Sequence, residues 1–374
     1  MHLQRREFLQ YSALFGALAT TSSLACVSSG EVRPPKQLSI LILGGTGFLG
    51  PAIVAAAEPR GHKITLFNRG KTNPSLFPQL EKLQGDRDPN KGEGIKALGG
   101  RKWDVVFDDC GYYPRMVKAS ADLLAPNIGH YVYISSISCY ARNDIEGADE
   151  TAECGTMPDP TLEKMGANYE YYGPLKALCE QAVQATMPER ACIVRPGYIV
   201  GPGDPTDRFT YWPVRADKGG EFLVPGAPSD PLQVIDVRDL AEWLVLCAER
   251  RTMGVFNACG PEKKLEWGKV IDASVKCAST KAVPRWASLD VLAKYPDAQF
   301  HIWAPYAGES KGFHTASNAR AVAAGMKFRA IDTIVADTLA WFKTLPDERR
   351  AQLSKRSEPM LSAAREAEII AALG

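Results

Sequence analysis

Leu38-Ser-Ile-Leu-Ile-Leu43, running into Gly44-Gly-Thr-Gly47-Phe48-Leu49-Gly50, is the stretch of this 374-residue sequence that decides the fold. The short apolar run has the composition of a strand buried on both faces. The helical pattern Pro51-Ala-Ile-Val-Ala-Ala-Ala-Glu58 follows it directly. Glycines between a strand and a helix let the backbone turn tightly and approach a pyrophosphate. The helix N-terminus adds free N–H groups and partial positive charge. Gly44, Gly47, Phe48, Leu49 and Gly50 are therefore candidate cofactor contacts. Glycine spacing alone is a weak signal; its position after a strand and before a helix gives it meaning.

The next expected strand, His62–Phe67, ends in Asn68-Arg69-Gly70. A dinucleotide site selective for NAD places an acid here to accept from the ribose hydroxyls. Asn68 removes the repulsion toward a 2′-phosphate, and Arg69 can pair with it. NADP is favoured on that ground, with NAD possible. A third strand end, Leu83-Gln-Gly-Asp86-Arg87, places Asp86 to accept from an adenine amino group, with Arg87 beside it. A fourth, Trp103-Asp-Val-Val-Phe-Asp108-Asp109-Cys110-Gly111, delivers Cys110 and Gly111 under the nicotinamide ribose. Asp108 and Asp109 are neighbours on a strand and point to opposite faces, so they read as strand-end polar residues and not as an acid–base couple.

A fifth strand, His130–Ile134, runs into Ser135-Ser136-Ile-Ser138-Cys-Tyr140. Then comes Tyr172-Gly-Pro-Leu-Lys176 at the start of a helix through Met187. At this spacing Tyr172 and Lys176 share one helix face. A phenol with a pKa near 10 is a poor base at neutral pH. A neighbouring ammonium and an oxidised nicotinamide both favour phenolate. A serine hydroxyl would then orient the substrate oxygen while Tyr172 takes its proton.

These motifs resemble the extended short-chain dehydrogenase/reductases, the NAD(P)-dependent epimerase/dehydratase family. Arg195-Pro196-Gly-Tyr198-Ile-Val-Gly-Pro202 and Asp236-Val-Arg-Asp-Leu-Ala241 extend the resemblance, which covers about 38–345. It implies an α/β fold: a Rossmann-type doubly wound parallel sheet over 38–195, with Pro196 at the cofactor. A smaller, interleaved substrate-binding region follows over 196–345. By the family pattern, the serine four residues before Tyr140 carries the catalytic hydroxyl, which is Ser136; Ser135 and Ser138 compete for the role. The candidate catalytic set is thus Ser136, Tyr172 and Lys176.

The second half offers Tyr198, Arg208, Trp212, Arg215 and Gln233 as substrate contacts, and aromatics with a few polar groups suit a sugar-like ring. Residues 204–213 read as a substrate-side loop. Family members acting on nucleotide sugars often carry an arginine just before the segment matching Val234-Ile-Asp236. Here the stretch is Asp230-Pro-Leu-Gln233, which puts nucleotide-sugar recognition in question.

Gln4-Arg5-Arg6-Glu7-Phe8-Leu9, a short apolar run and small residues to Ala25 resemble a bacterial twin-arginine (Tat) export signal, with the Tat machinery as partner and a periplasmic or exported destination. Cleavage after Ala25 is preferred to lipidation of Cys26. Residues 26–37 read as a linker, and 346–374 as a helical tail that packs on the body or on a neighbour.

Lys+Arg 44 against Asp+Glu 43 leaves a formal charge of +1, no footprint for nucleic acid. Five scattered histidines and the absence of a C-x-x-C pair give no metal spacing, so no metal is expected. No disulfide is expected either, although Cys139–Cys154 is a conceivable pair. The resemblance allows a homodimer through helices near 114–127 and 171–187. It also allows a different class of function, a non-catalytic dinucleotide- or RNA-binding protein.

Overall fold

In the computed structural model, which describes residues 36–374, strand β1 (Ser39–Leu43) shows why the opening run folds as it does. Its side chains alternate, as a strand requires: Ile40 and Ile42 enter one apolar core, Leu41 and Leu43 the other. Burial on both faces explains the unbroken apolar run. The twin-arginine stretch, the cleavage position and Cys26 lie outside the described residues.

The strands β2 (Lys63–Asn68), β3 (Glu81–Gln84), β4 (Trp103–Asp108), β5 (Ile128–Ile134) and β6 (Ala191–Pro196) join β1 in one sheet. Beyond them come β7 (Tyr198–Val200), β8 (Gly220–Pro225), β9 (Pro231–Leu232), β10 (Val234–Asp236), β11 (Gly254–Ala258), β12 (Leu265–Glu266) and β13 (Ala282–Ala287). The main sheet has the order β11-β6-β5-β4-β1-β2-β3, parallel throughout. The chain winds outward in both directions from β1, so a crevice opens between the carboxyl ends of β1 and β4, where such sheets bind ligands.

Helices α1 (Leu49–Ala57), α2 (Pro114–Leu124), α3 (Tyr172–Thr186), α4 (Tyr211–Asp217) and α5 (Val237–Arg250) arrange themselves by face. Ile53 and Val54 of α1 and Leu240 and Leu244 of α5 share the core of Ile40 and Ile42. Val117, Ala121 and Leu124 of α2 and Cys179 and Val183 of α3 share that of Leu41 and Leu43. The sheet is therefore doubly wound.

The remaining helices are α6 (Trp267–Cys277), α7 (Leu289–Leu292), α8 (Ala319–Ala323), α9 (Ile331–Lys343), α10 (Asp347–Ser357) and α11 (Ala363–Ala371). A third core lies between α4, α6, α9 and the parallel pair β8–β13. The smaller region is interleaved, because α5 and β11 return to the main body.

The C-terminal helices pack on this body. Ile369 of α11 is wholly buried with Leu223 of β8, and Glu366 accepts both from Arg215 and from the Leu223 N–H at 3.1 Å. Residues 204–213 are not all loop, since α4 begins at Tyr211.

Candidate active site

The crevice between β1 and β4 opens into a cavity of about 970 Å³ that runs from the glycine turn to Tyr172 and on to Arg208. At the turn, Gly44 has φ 117° and Gly45 φ 87°, a region that favours glycine. Open space lies over Gly47, where any side chain would face a ligand. Gly50 serves differently. It does not line the cavity, and a Cβ there would sit 2.4 Å from the Gly45 Cα, so its bare backbone lets α1 pack against the turn.

Asn68, at the end of β2, donates to the Gly44 carbonyl at 3.4 Å and accepts from the Gly70 N–H at 2.9 Å. Arg69 and Lys71 are exposed on the cavity wall beside it, with no salt bridge among the described residues. Asp86 also lines the wall, its carboxylate accepting from the Asp88 N–H. Arg87 lines the wall as well, but its guanidinium is already engaged. It donates twice to Asp108, at 2.6 and 2.9 Å. Tyr131 also donates to Asp108, at 2.7 Å. Burial alone would raise the Asp108 pKa, but Arg87 outweighs it and holds the carboxyl below its usual range. Cys110 lines the cavity. Gly111 does not; its carbonyl instead accepts from Lys176 and Tyr133.

Asp109, set aside as mere strand-end polarity, faces this cavity. Burial and the neighbouring Asp108 push its carboxyl up to about 7, against the pull of Lys176 and the Gly50 N–H. Below that pH it is neutral; above it, an anion stands beside the turn suited to phosphates. Dinucleotide affinity, measured by calorimetry, is therefore expected to fall between about pH 6 and about pH 8, and Asp109→Asn to flatten that dependence.

The chemistry-bearing residues meet at the far end of β5. Ser135 and Ser136 diverge there. The Ser135 hydroxyl donates to the buried carboxylate of Glu180 at 2.5 Å. Ser136 caps the single turn Ile137–Cys139, its Oγ accepting from the Ser138 N–H at 3.1 Å and facing the cavity. Helix α3 begins at Tyr172 and sits hard against this turn, because a Cβ at Gly173 would lie 1.9 Å from the Ser138 carbonyl oxygen.

Lys176 is buried and donates to the carbonyls of Ile134 at 2.6 Å and Gly111 at 2.8 Å. Burial lowers its pKa. Burial raises that of Tyr172, while the Ser136 hydroxyl and the Arg208 guanidinium pull it back down. Arg208 thus favours the phenolate from the substrate end of the cavity, a contribution the sequence reading did not include.

At the substrate end, Arg208 lies over the Tyr198 ring, 4.7 Å from its centroid, and Phe313 meets that ring edge-on at 5.9 Å. Three expected substrate contacts lie elsewhere. Trp212 is fully buried in the third core and donates its indole N–H to the His301 carbonyl. Arg215 pairs with Glu366 of α11. Gln233 bonds both the N–H and the carbonyl of Ala316. The loop carrying Arg208 is braced from α10, where Arg349 donates twice to buried Asp207, at 2.7 and 2.8 Å.

No protein-family model matches the chain. Among curated proteins it is 27% identical over 266 residues to the chloroplast stem-loop binding protein of 41 kDa b from Arabidopsis thaliana, covering 66% of this chain and 64% of that protein. It is 30% identical over 189 residues to the 2-alkyl-3-oxoalkanoate reductase of Stenotrophomonas maltophilia, covering 45% and 52%. The chain thus spans between half and two thirds of the length of these relatives.

Among solved structures, the UDP-N-acetylglucosamine 4-epimerase of Methanobrevibacter ruminantium superposes with TM-score 0.60 at 16% identity, over 83% of this chain and 99% of that one. The Bordetella bronchiseptica enzyme WbmH, solved with NAD+, gives 0.59 at 17%, over 82% and 99%. The fold is the Rossmann-type doubly wound sheet that these structures share. The seven parallel strands and the crevice at their switch point are its frame. In that fold the cavity joins the glycine turn to the Ser136–Tyr172–Lys176 end in one continuous space.

Proposed function

We propose that this chain is an NAD(P)-dependent oxidoreductase or epimerase of the extended short-chain dehydrogenase/reductase type, acting on a sugar or related hydroxyl/carbonyl compound. The observation that carries this reading is the single cavity joining a glycine turn, open over Gly47, to Ser136, Tyr172 and Lys176. A nicotinamide dinucleotide bound there would supply reversible hydride transfer. The turn and the Leu49 end of α1 would hold its pyrophosphate, and Asn68 and Arg69 its adenosine end. Lys176 would orient the nicotinamide ribose. Ser136 donates to or accepts from the substrate oxygen, and Tyr172 takes or returns its proton.

The same residues serve epimerisation, elimination or net reduction. The twin-arginine signal read at the N-terminus supports an exported enzyme and hence redox-neutral turnover with retained cofactor. Arg208, lining the same cavity as Tyr172, would favour the phenolate that such chemistry needs.

Calorimetric titration with NADPH and NADH tests the core of the reading, and binding of neither would sink it. Arg69→Ala is expected to weaken NADPH by about tenfold, the loss of one charged hydrogen bond, while leaving NADH nearly unchanged. Equal loss for both would refute the 2′-phosphate role. The stem-loop binding relative supports a second reading, an RNA-binding protein on the same frame. Salt-sensitive RNA retention on a filter without nicotinamide binding would favour it.

A further inference from the structure

Beneath the turn that presents Ser136 lies a pair of thiols that the proposed chemistry does not use. The Sγ atoms of Cys139 and Cys154 are 3.7 Å apart. Cys139 ends the turn Ile137–Cys139, and Tyr140 and Cys154 form an antiparallel bridge. Two backbone bonds hold the segments in register: the Gly155 N–H donates to the Cys139 carbonyl at 2.7 Å, and the Ala141 N–H to that of Glu153 at 2.9 Å.

Glu180 lies close enough to complete a three-ligand metal cluster with the two thiols. Its carboxylate is already taken, by Arg195 at 2.6 to 3.2 Å and by Ser135 at 2.5 Å. The Arg195 guanidinium also donates to the Cys154 Sγ at 3.3 Å, so a fixed cation already occupies this corner. A second cation would be repelled, whereas a thiolate is welcomed. The contact between the two thiols, with Arg195, lowers the Cys154 thiol, and that contact together with burial pushes the Cys139 thiol up. Cys154 is partly accessible and Cys139 wholly buried, which fixes the order of attack.

We infer that Cys139 and Cys154 are a reversible dithiol–disulfide site that ties the Ser136–Tyr140 turn to the segment 150–155. Bridging brings the sulfurs from 3.7 Å to a bond near 2.05 Å, a movement a short turn can make. The oxidant is a small dialkyl disulfide. The Cys154 thiolate attacks one of its sulfurs and releases a first thiolate, which takes up the Cys154 proton. Cys139 then loses its proton and attacks the Cys154 sulfur of the mixed disulfide, releasing the second thiol. Two cysteine thiols are oxidised by two electrons, and one small disulfide is reduced to two thiols. This inference is independent of the proposed catalysis.

The test uses the full chain and glutathione disulfide, followed by alkylation, peptide mapping and intact mass. The expected product has lost about 2 Da, carries a cross-link between the peptides of Cys139 and Cys154, and reverts with dithiothreitol. Closing this short loop should raise the thermal midpoint by roughly 4 °C. Both cysteines still alkylated at equilibrium, a lasting glutathione adduct on Cys154, or a bridge between other cysteines would each overturn it. In Cys139→Ala the glutathione adduct on Cys154 should persist, since nothing remains to resolve it. Because the main readout is taken on the unaltered chain, misfolding of that variant would not remove the test.

Discussion

Tyr172→Phe is expected to lower turnover by about a thousandfold while leaving nicotinamide binding within about twofold of the parent. The substitution removes one oxygen and keeps the ring, so the start of α3 loses no packing. What disappears is the hydroxyl that, in the proposed function, exchanges a proton with the substrate oxygen, a contribution of about a hundredfold to ten-thousandfold when the group is well placed. The structure adds a further expectation about pH. Burial raises the Tyr172 pKa, while the Ser136 hydroxyl and Arg208 oppose it. Removing the positive charge with Arg208→Gln should therefore move to higher pH the limb of the rate profile that Tyr172 controls, the rising limb where it takes the proton, because phenolate is then less favoured. Steady-state rates across pH, with cofactor affinity measured in parallel, check both points. Undiminished turnover in Tyr172→Phe would end the assignment.

The parts of this site legible in the sequence are those in which a few neighbouring residues decide the outcome. A double-sided apolar run predicts β1, glycines between strand and helix predict the turn, and a Tyr–Lys pair one helical turn apart predicts a shared face. Those features reappear at Ile40 to Leu43, Gly44 to Leu49, and Tyr172 with Lys176. The parts that were not legible depend on partners far along the chain. Arg215 looks like an available cation until α11 brings Glu366 to it. Trp212 and Gln233 are likewise claimed by His301 and Ala316. Asp108 and Asp109 show the limit most directly. Alternation says that they face opposite sides, but which one meets the cavity appears only in the fold, where Arg87 takes up Asp108 and Asp109 lines the wall.

Gly173→Ala carries the second large expected effect, and it separates activity from stability. Position 173 is inside a helix, where alanine is intrinsically better than glycine by about 1 kcal/mol. Against this, the added Cβ would lie 1.9 Å from the Ser138 carbonyl oxygen, a backbone atom that no rotamer change can move aside. Overpacking of this kind costs about 1–3 kcal/mol, so the two terms leave a modest net loss of stability. Geometry gives no such compensation. Helix α3 carries Tyr172 and Lys176, and the opposing turn carries Ser136, so parting the two surfaces by about an ångström pulls the reacting groups out of register. A displacement of that size is worth about a hundredfold in rate. The expected result is a protein that melts within a few degrees of the parent and turns over about a hundred times more slowly. A thermal melt and a single-substrate rate measured on the same sample decide it. Full activity with an unchanged melt would mean that the turn and the helix are not the coupled pair described above.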